Sequence, residues 1–365
     1  MDTLLVYGSY GYTGRLIVRD VVARGGTPIV AGRDDAAVTR QADDLGVDAR
    51  AFDLEADVAA RIRDVDAVLN CAGPFVNTAE PLVEACLETG TDYLDVTGEF
   101  QVFERLRRYD GRARDADVTL LPGVGFDVVP SDCLAAFLHE RLPAATHLSL
   151  GIKSGSSPSR GTARTLVEHL GAGGVVRHNG RLVEVPTAYR TREIDFGDGP
   201  EHAVTIPWGD VVTAGHSTGI DSIEVYGAAP VWATRAMAAF DRLDWLLERR
   251  SVERALRWLI DARVDGPDEE ELATDRATVW GEVRDERTDR RARARLETPN
   301  PYTLTVDAAV TAADRLLDDR DRVAAGFQTP SSAFGHEFVR ELEGTELELL
   351  LAPLEAHGSD LESGD

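Results

Sequence analysis

A short apolar run, Thr3-Leu4-Leu5-Val6-Tyr7, leads directly into Gly8-Ser9-Tyr10-Gly11-Tyr12-Thr13-Gly14, and amphipathic sequence follows at once. Strand, glycine loop and helix in that order make a phosphate cradle, because the first turn of a helix offers free N–H donors and the positive end of its dipole. Gly8 permits the tight turn, Gly11 lets the backbone approach a pyrophosphate, and Gly14 lets helix and strand pack closely. The spacing is G-x-x-G-x-x-G, one residue longer than the commonest dinucleotide fingerprint. Ser9, Tyr10, Tyr12 and Thr13 complete the candidate cofactor loop.

The pattern that follows the loop continues the theme. Strand-like runs at Thr3 to Tyr7, Thr27 to Ala31, Val47 to Phe52, Asp66 to Asn70, Thr91 to Asp95 and Asp117 to Leu121 alternate with helices beginning near Gly14, Asp35, Glu55, Thr78 and Phe100. Alternation of this kind predicts a Rossmann-like, doubly wound parallel sheet covered by helices on both faces. The helix at Thr78 is read with a Thr cap and with Glu80 and Pro81 in its first turn. After Ser131 the rhythm changes to longer β-like segments, Ala145 to Lys153, Ser222 to Gly227, Ala277 to Arg284 and Arg291 to Leu296. Helices are expected over Trp232 to Arg263 and Pro301 to Leu317, an acidic loop over Asp265 to Glu271 and a flexible loop over Ser154 to Gly161. The fold class is therefore α/β with a second α+β domain built on a mostly antiparallel sheet. The expected division is a cofactor domain over 1–130, a substrate and dimerisation domain over 131–320, a segment returning to the first domain over 321–355, and a disordered tail over 356–365.

Cofactor choice is decided at the end of the second strand, where a carboxylate would bind a ribose 2′-hydroxyl and an arginine a 2′-phosphate. The sequence there is Ala31-Gly32-Arg33-Asp34. Arg33 favours NADP over NAD; the competing reading gives Asp34 the 2′-hydroxyl and turns Arg33 to water. Asp53, after the third strand, either contacts adenine or caps a helix. Asn70-Cys71-Ala72-Gly73-Pro74, after the fourth strand, suits a backbone lying along the nicotinamide ribose, and Cys71 reads as a packed apolar residue rather than a nucleophile.

Charge excludes whole classes of partner. Of 365 residues, 64 are Asp or Glu against 39 Lys plus Arg, for a formal charge of −25. Such an excess repels nucleic-acid backbones and anionic lipid, so neither is an expected partner. Lys153 is the single lysine. Abundant hydrated carboxylates with arginine in place of lysine are of a haloarchaeal type, suited to concentrated salt; an acidic protein from a GC-rich genome is the alternative. Three dispersed cysteines, Cys71, Cys86 and Cys133, form neither a disulfide framework nor a metal site. The first apolar run is too short for a signal segment and no stretch is long enough for a membrane span. A cytoplasmic protein without a metal is expected.

Several of these segments resemble the saccharopine dehydrogenase-like oxidoreductases, a family that includes saccharopine reductases and trans-acting enoyl reductases. They are Gly8 to Gly14, Ala31-Gly32-Arg33, Asn70 to Phe75, Tyr93 to Glu99, Gly125-Phe126-Asp127 with Pro130-Ser131-Asp132, Pro207-Trp208-Gly209-Asp210, Ser217-Thr218-Gly219 and Gly326 to Pro330. Length and second-domain segments are most similar to the enoyl-reductase-like branch. The resemblance implies a nicotinamide-binding domain joined to a substrate domain, a small-molecule or lipid-like substrate, and leaves room for a homodimer; it does not fix the substrate.

Hydride chemistry belongs to the cofactor, so the protein must orient an acceptor and manage one proton. Asp127 and Ser131, where the first domain passes into the second, are the candidate catalytic groups, with His216 as a further acid. Asp95, Thr97 and Glu99 are neighbouring alternatives, and Ser131 or Asp132 could instead cap a helix. Imine reduction would use the carboxylates Asp127 and Glu99; enoyl reduction would use the donors Tyr93, Thr97, Ser131 and His216. The tyrosine-lysine mechanism of short-chain dehydrogenases is excluded, because the residue four before Lys153 is Ser149. A catalytically silent NADP sensor and a true saccharopine reductase remain as alternatives.

Overall fold

The computed structural model describes residues 3–155, 173–240, 266–318 and 322–352. The 356–365 tail, most of the Ser154 to Gly161 loop and the region after Phe240 lie outside them. The first part runs β1 (Leu4–Tyr7), α1 (Tyr12–Ala23), β2 (Ile29–Gly32), α2 (Asp35–Leu45), β3 (Ala49–Ala51), α3 (Ala59–Ile62), β4 (Ala67–Asn70), α4 (Phe75–Thr89), β5 (Asp92–Asp95), α5 (Phe100–Leu106), α6 (Asp110–Asp115) and β6 (Thr119–Leu121). All four residues of β1, β2, β4 and β5 are buried, as strands covered on both faces must be.

The second part runs α7 (Val129–Arg141), β7 (His147–Ser154), β8 (Gly174–His178), β9 (Arg181–Val185), β10 (Thr191–Asp195), β11 (Pro200–Thr205), α8 (Asp210–Thr218), β12 (Ser222–Ala228), α9 (Val231–Phe240), α10 (Glu269–Thr274), β13 (Arg276–Asp285), β14 (Arg290–Pro299), α11 (Pro301–Asp318), β15 (Gly326–Phe327), α12 (Pro330–Phe334) and β16 (Glu346–Leu351).

The first sheet has the order β15-β6-β5-β4-β1-β2-β3 and all its pairs are parallel. It reverses direction between β1 and β4, the switch point at which α/β sheets open a ligand crevice. The second sheet has the order β10-β11-β12-β7-β13-β14-β16, with β8 and β9 paired off this path. Its pairs are antiparallel except β7 with β12. The chain therefore crosses back twice at its end: β15 extends the parallel sheet beside β6, and β16 edges the mixed sheet beside β14.

Helix α7 joins the two sheets. Nine of its residues, from Val129 to Leu138, are buried, and Leu134 and Leu138 lie so close over Gly281 of β13 that a Cβ there would be 2.8 Å from Leu138. One continuous apolar core results. The second sheet's other face carries a smaller core of Ile194, Phe196, Ala203, Tyr226 and Trp280. Beside it the buried Glu282 pairs with Arg192 (2.6 Å) and Arg293.

Three local expectations are corrected. Helix α4 starts at Phe75, not Thr78, and Pro81 lies inside it. The helix expected near Glu55 forms only at Ala59, because Asp53 first closes a turn with the Glu55 N–H (3.0 Å) and Asp57 then accepts from Ala60 N–H (3.1 Å). The acidic stretch ending at Glu271 is not all loop: Asp268 and Glu271 form a reciprocal capping box that starts α10.

Candidate functional site

The glycine loop is shaped by contacts that a side chain would block. Gly8 has φ of +79°, and a Cβ there would lie 2.8 Å from Ala72; a Cβ on Gly14 would lie 2.4 Å from the Gly8 carbonyl oxygen. The loop is tied to β2, since Gly8 N–H (2.8 Å) and Ser9 Oγ (3.2 Å) both donate to the Ala31 carbonyl. Helix α1 begins at Tyr12 with Gly11 as an extended N-cap and no side-chain cap. Its first-turn amides are thus left for a ligand. Ser9 is buried and its hydroxyl committed, Tyr10 accepts from Asp34 N–H (3.3 Å), and Tyr12 donates to the Pro267 carbonyl (2.7 Å) while packing edge-on against Tyr302 at 5.1 Å. Tyr12 thus fastens the loop to the start of α10 and α11, while Thr13 makes no hydrogen bond among the described residues.

Asp34 and Arg33 separate at the end of β2. Asp34 Oδ1 accepts from Ala37 N–H (3.0 Å) as the N-cap of α2, whereas Arg33 is exposed and unpaired among the described residues. Asp53 closes a turn with Glu55 N–H and caps no helix, since α3 begins only at Ala59.

Opposite the loop, Asn70 to Pro74 is held by a buried hydrogen-bond network. Asn70 accepts from Ala72 N–H (3.0 Å) and donates to Thr78 Oγ1 (3.1 Å) and to the Tyr93 hydroxyl (3.2 Å). Tyr93 donates to Asp95 Oδ2 (2.9 Å), and Asp95 Oδ1 accepts from Thr97 N–H (3.0 Å) and Gly123 N–H (2.9 Å). Burial pushes the Asp95 carboxyl up to about 7, against the pull of those N–H groups. Glu99 explains the shifted start of α4: its two carboxylate oxygens accept from Phe75 N–H and Val76 N–H, each at 3.0 Å. A carboxylate from the next loop replaces a local cap, and it satisfies two orphan donors at the positive end of the helix. Thr78 meanwhile donates to the Ala72 carbonyl (2.6 Å). Burial pushes the Cys71 thiol far up, so it is no nucleophile at neutral pH.

Asp127 is presented differently. Its backbone is gripped on both sides, by Trp208 Nε1 donating to its carbonyl (2.7 Å) and by Phe126 N–H donating to Thr305 Oγ1 (3.0 Å). Its half-buried carboxyl makes no hydrogen bond among the described residues and lies against Gly98, where a Cβ would be 2.6 Å from Oδ2. Burial first, and then the charge of Glu99, push it up to about 6.

Ser131 and Asp132 are turned inward. Ser131 Oγ donates to the Val128 carbonyl (3.1 Å), and Asp132 accepts from Ser217 Oγ (2.6 Å) and Ser331 N–H (2.8 Å), stapling α7 to α8 and α12. His216 packs edge-on against Phe327 at 5.1 Å. Six residues of helix, about 9 Å, separate it from the N-terminal end of α8 that adjoins Gly98, and burial lowers its pKa.

That N-terminal end holds a group the sequence reading did not single out. Asp210 is fully buried, with the Ser131 hydroxyl as its neighbouring donor. Burial and the neighbouring Asp132 and Asp127 push its pKa far above the carboxylate range. Its signal was in plain view in Pro207-Trp208-Gly209-Asp210, whose tryptophan grips Asp127. Two surface hollows, of about 450 and 260 Å³, lie beside Glu84 and Glu88 in the second half of α4, away from the strand ends. Among the described residues there is no cluster able to hold a metal and no helix long and apolar enough to cross a membrane.

Comparison with known proteins agrees with this geometry. Residues 4–121 match the saccharopine dehydrogenase NADP binding domain. The chain is 28% identical over 151 residues to the human saccharopine dehydrogenase-like oxidoreductase, covering 35% of each protein. It is 28% identical over 221 residues to the trans-acting enoyl reductase of Mycobacterium ulcerans, covering 55% of this chain and 53% of that one. The matched stretches thus span between a third and about half of these relatives. The solved saccharopine dehydrogenase (L-Glu forming) of Saccharomyces cerevisiae has the same fold, with a TM-score of 0.64 at 12% identity over 96% of this chain and 100% of that one. Residues 4–121 thus match a saccharopine dehydrogenase NADP-binding domain, with NADP as its cofactor, and the chain as a whole has the fold of the yeast saccharopine dehydrogenase.

Proposed function

We propose that the protein is an NADP-dependent reductase of a carbon–nitrogen double bond in a small, cationic imine, with Asp127 as proton donor and counter-ion. One observation carries this reading: at the strand ends the carboxyl of Asp127 has no hydrogen-bond partner among the described residues, while each donor that could stabilise an enolate is committed, fully buried or elsewhere. Tyr93 donates to Asp95, the buried Thr97 hydroxyl accepts from Glu99 N–H (3.1 Å), Ser131 donates to Val128, and His216 sits at the far end of α8. No arginine or lysine among the described residues pairs with Asp127. Developing negative charge would be opposed there, and an iminium would be stabilised.

When bound, NADPH supplies the hydride. The glycine loop and first-turn amides of α1 would hold the pyrophosphate and Arg33 the 2′-phosphate, with Asn70 to Pro74 along the nicotinamide ribose. At about pH 6 Asp127 is half protonated, so near neutrality it can give a proton to the imine nitrogen and remain as a carboxylate beside the cation. The similarity to enoyl reductases favours the second substrate, an enoyl thioester. Following NADPH oxidation in high salt with cyclic and acyclic imines beside enoyl thioesters tests both. Turnover of imines alone is expected; turnover of thioesters alone overturns the reading, and NADPH binding without turnover identifies a sensor. The acidic composition is consistent with a salt-adapted cytoplasmic protein, for which loss of fold in dilute buffer is the test.

A further inference from the structure

Ala72 stands where the glycine loop meets the turn after β4. A Cβ on Gly8 would lie 2.8 Å from both the Ala72 Cβ and its backbone nitrogen, so the two segments are in close contact there. Both backbone polar groups of Ala72 are held by side chains: its N–H donates to Asn70 Oδ1 (3.0 Å), and its carbonyl accepts from Thr78 Oγ1 (2.6 Å). The position of Ala72 therefore follows Asn70, and Asn70 is held in turn by Tyr93 of β5.

The hydrogen bonds of this chain run in one direction. A backbone N–H can only donate, so Ala72 turns the Asn70 carbonyl oxygen toward itself and leaves the Asn70 amide nitrogen to donate to Thr78 Oγ1 (3.1 Å) and to the Tyr93 hydroxyl (3.2 Å). Tyr93 passes the direction on by donating its own proton to Asp95 Oδ2 (2.9 Å). Asp95 is fully buried, and its other oxygen accepts from Thr97 N–H (3.0 Å) and Gly123 N–H (2.9 Å). A row of donors needs an acceptor at its end, and an ionised carboxylate, with no proton to offer, supplies one. Asp95 thereby ties together the loops after three neighbouring strands: β4 through Tyr93 and Asn70, β5 through Thr97 and β6 through Gly123.

We propose that Asp95 is a positioning residue for the nicotinamide half of NADP: as the acceptor end of the chain through Tyr93 and Asn70 it fixes Ala72, and with it the set of the Asn70 to Pro74 turn against the glycine loop. Fully buried, it acts on the cofactor only through these partners. The glycine loop has its own ties, from Gly8 N–H and Ser9 Oγ to the Ala31 carbonyl, so the adenine half does not depend on Asp95. Asp95→Asn keeps the size of the side chain and an oxygen for both N–H groups, yet presents a donor to Tyr93, whose proton is left without an acceptor. Tyr93→Phe cuts the chain one link nearer Ala72 and leaves both N–H bonds of Asp95 intact.

The inference rests on the placement of Asn70 to Pro74 beside the nicotinamide ribose, and not on the imine reading. Its test is titration calorimetry of NADPH and of adenosine 2′,5′-bisphosphate, which lacks the nicotinamide half, at pH 8, above the value of about 7 to which burial raises Asp95. Asp95→Asn and Tyr93→Phe are each expected to weaken NADPH binding by about tenfold, with bisphosphate affinity unchanged. The double variant is expected to bind NADPH no worse than Tyr93→Phe, since both changes break one chain. Equal weakening of both ligands, additive losses in the double variant, or unchanged NADPH affinity in both single variants overturns the role. Gly73→Val separates that failure from a failure of the placement: beyond its chain neighbours a Cβ there meets only Phe75, at 3.8 Å, so the protein has room for a side chain where a ribose along the turn would not. NADPH affinity unchanged in Gly73→Val overturns the placement and the role with it; affinity lost there but kept in Asp95→Asn and Tyr93→Phe overturns the role alone. Where Asp95→Asn shows no melting transition, Tyr93→Phe decides.

Discussion

Two sets of carboxylates lie within one or two turns of each other at the ends of the strands, and the fold treats them in opposite ways. Asp95, Glu99 and Asp132 have both oxygens occupied by backbone N–H or hydroxyl donors. Asp127 has no such donor among the described residues, and Asp210 has only the Ser131 hydroxyl beside it. The first set holds loops and helix ends in place, replacing hydration with fixed dipoles. In the second, burial favours the neutral form with few donors to oppose it, as it also does at Asp95 despite three donors. Residue type alone does not distinguish structural from reactive acid; the placement of donors does.

Perturbing each set in turn sharpens that contrast. Asp127→Asn is expected to lower kcat by about a hundredfold or more, the usual contribution of a positioned acid, with NADP affinity unchanged in a fluorescence titration. An equal loss of cofactor binding would place Asp127 with the structural set. Next in size, Glu99→Gln removes charge-assisted bonds to Phe75 and Val76 and should cost about 2 kcal/mol in denaturant melts. It should also lower the Asp127 pKa, since Glu99 raises it, and so move the fall of kcat at high pH to lower pH. Arg33→Ala should raise the KM for NADPH by about tenfold or more through loss of a phosphate ion pair, leaving NADH unaffected; equal effects on both would break the 2′-phosphate assignment.

The smallest expected effect concerns stability. The folded pKa of Asp127 is raised from 3.8 to about 6, so its protonated form favours the folded state fully below pH 3.8. That contribution declines as pH rises to about 6 and is constant beyond it. Subtracting Asp127→Asn melting temperatures from those of wild type over pH 4 to 7 should show this decline; a rise would reverse the assignment.

Much of this was legible in the sequence because it follows from short-range rules. Gly8, Gly11 and Gly14 reported a turn, an approach and a packing contact that no side chain permits, and six of the seven strands of the parallel sheet were legible, all but the two-residue β15. Where the stabilising partner came from elsewhere in the chain, the reading failed. Helix α4 was started at Thr78 because its true cap, Glu99, lies about twenty residues on. Strands β8 to β10 went unseen because they are five-residue runs with no clean apolar alternation, in which only Val175, Val176 and Ile194 are buried.

The catalytic candidates show the same division. Ser131 and Asp132 have the sequence context of a site, but only packing turned them onto Val128, Ser217 and Ser331. Asp210 drew no attention as one aspartate among many, until burial set it apart. Sequence by itself determined the dinucleotide cradle, since backbone conformation and close approach are written in glycine and in strand-to-helix order. Tertiary structure alone decided which carboxylates remain free to move a proton, because burial and hydrogen-bond donors arrive from segments far apart in the chain.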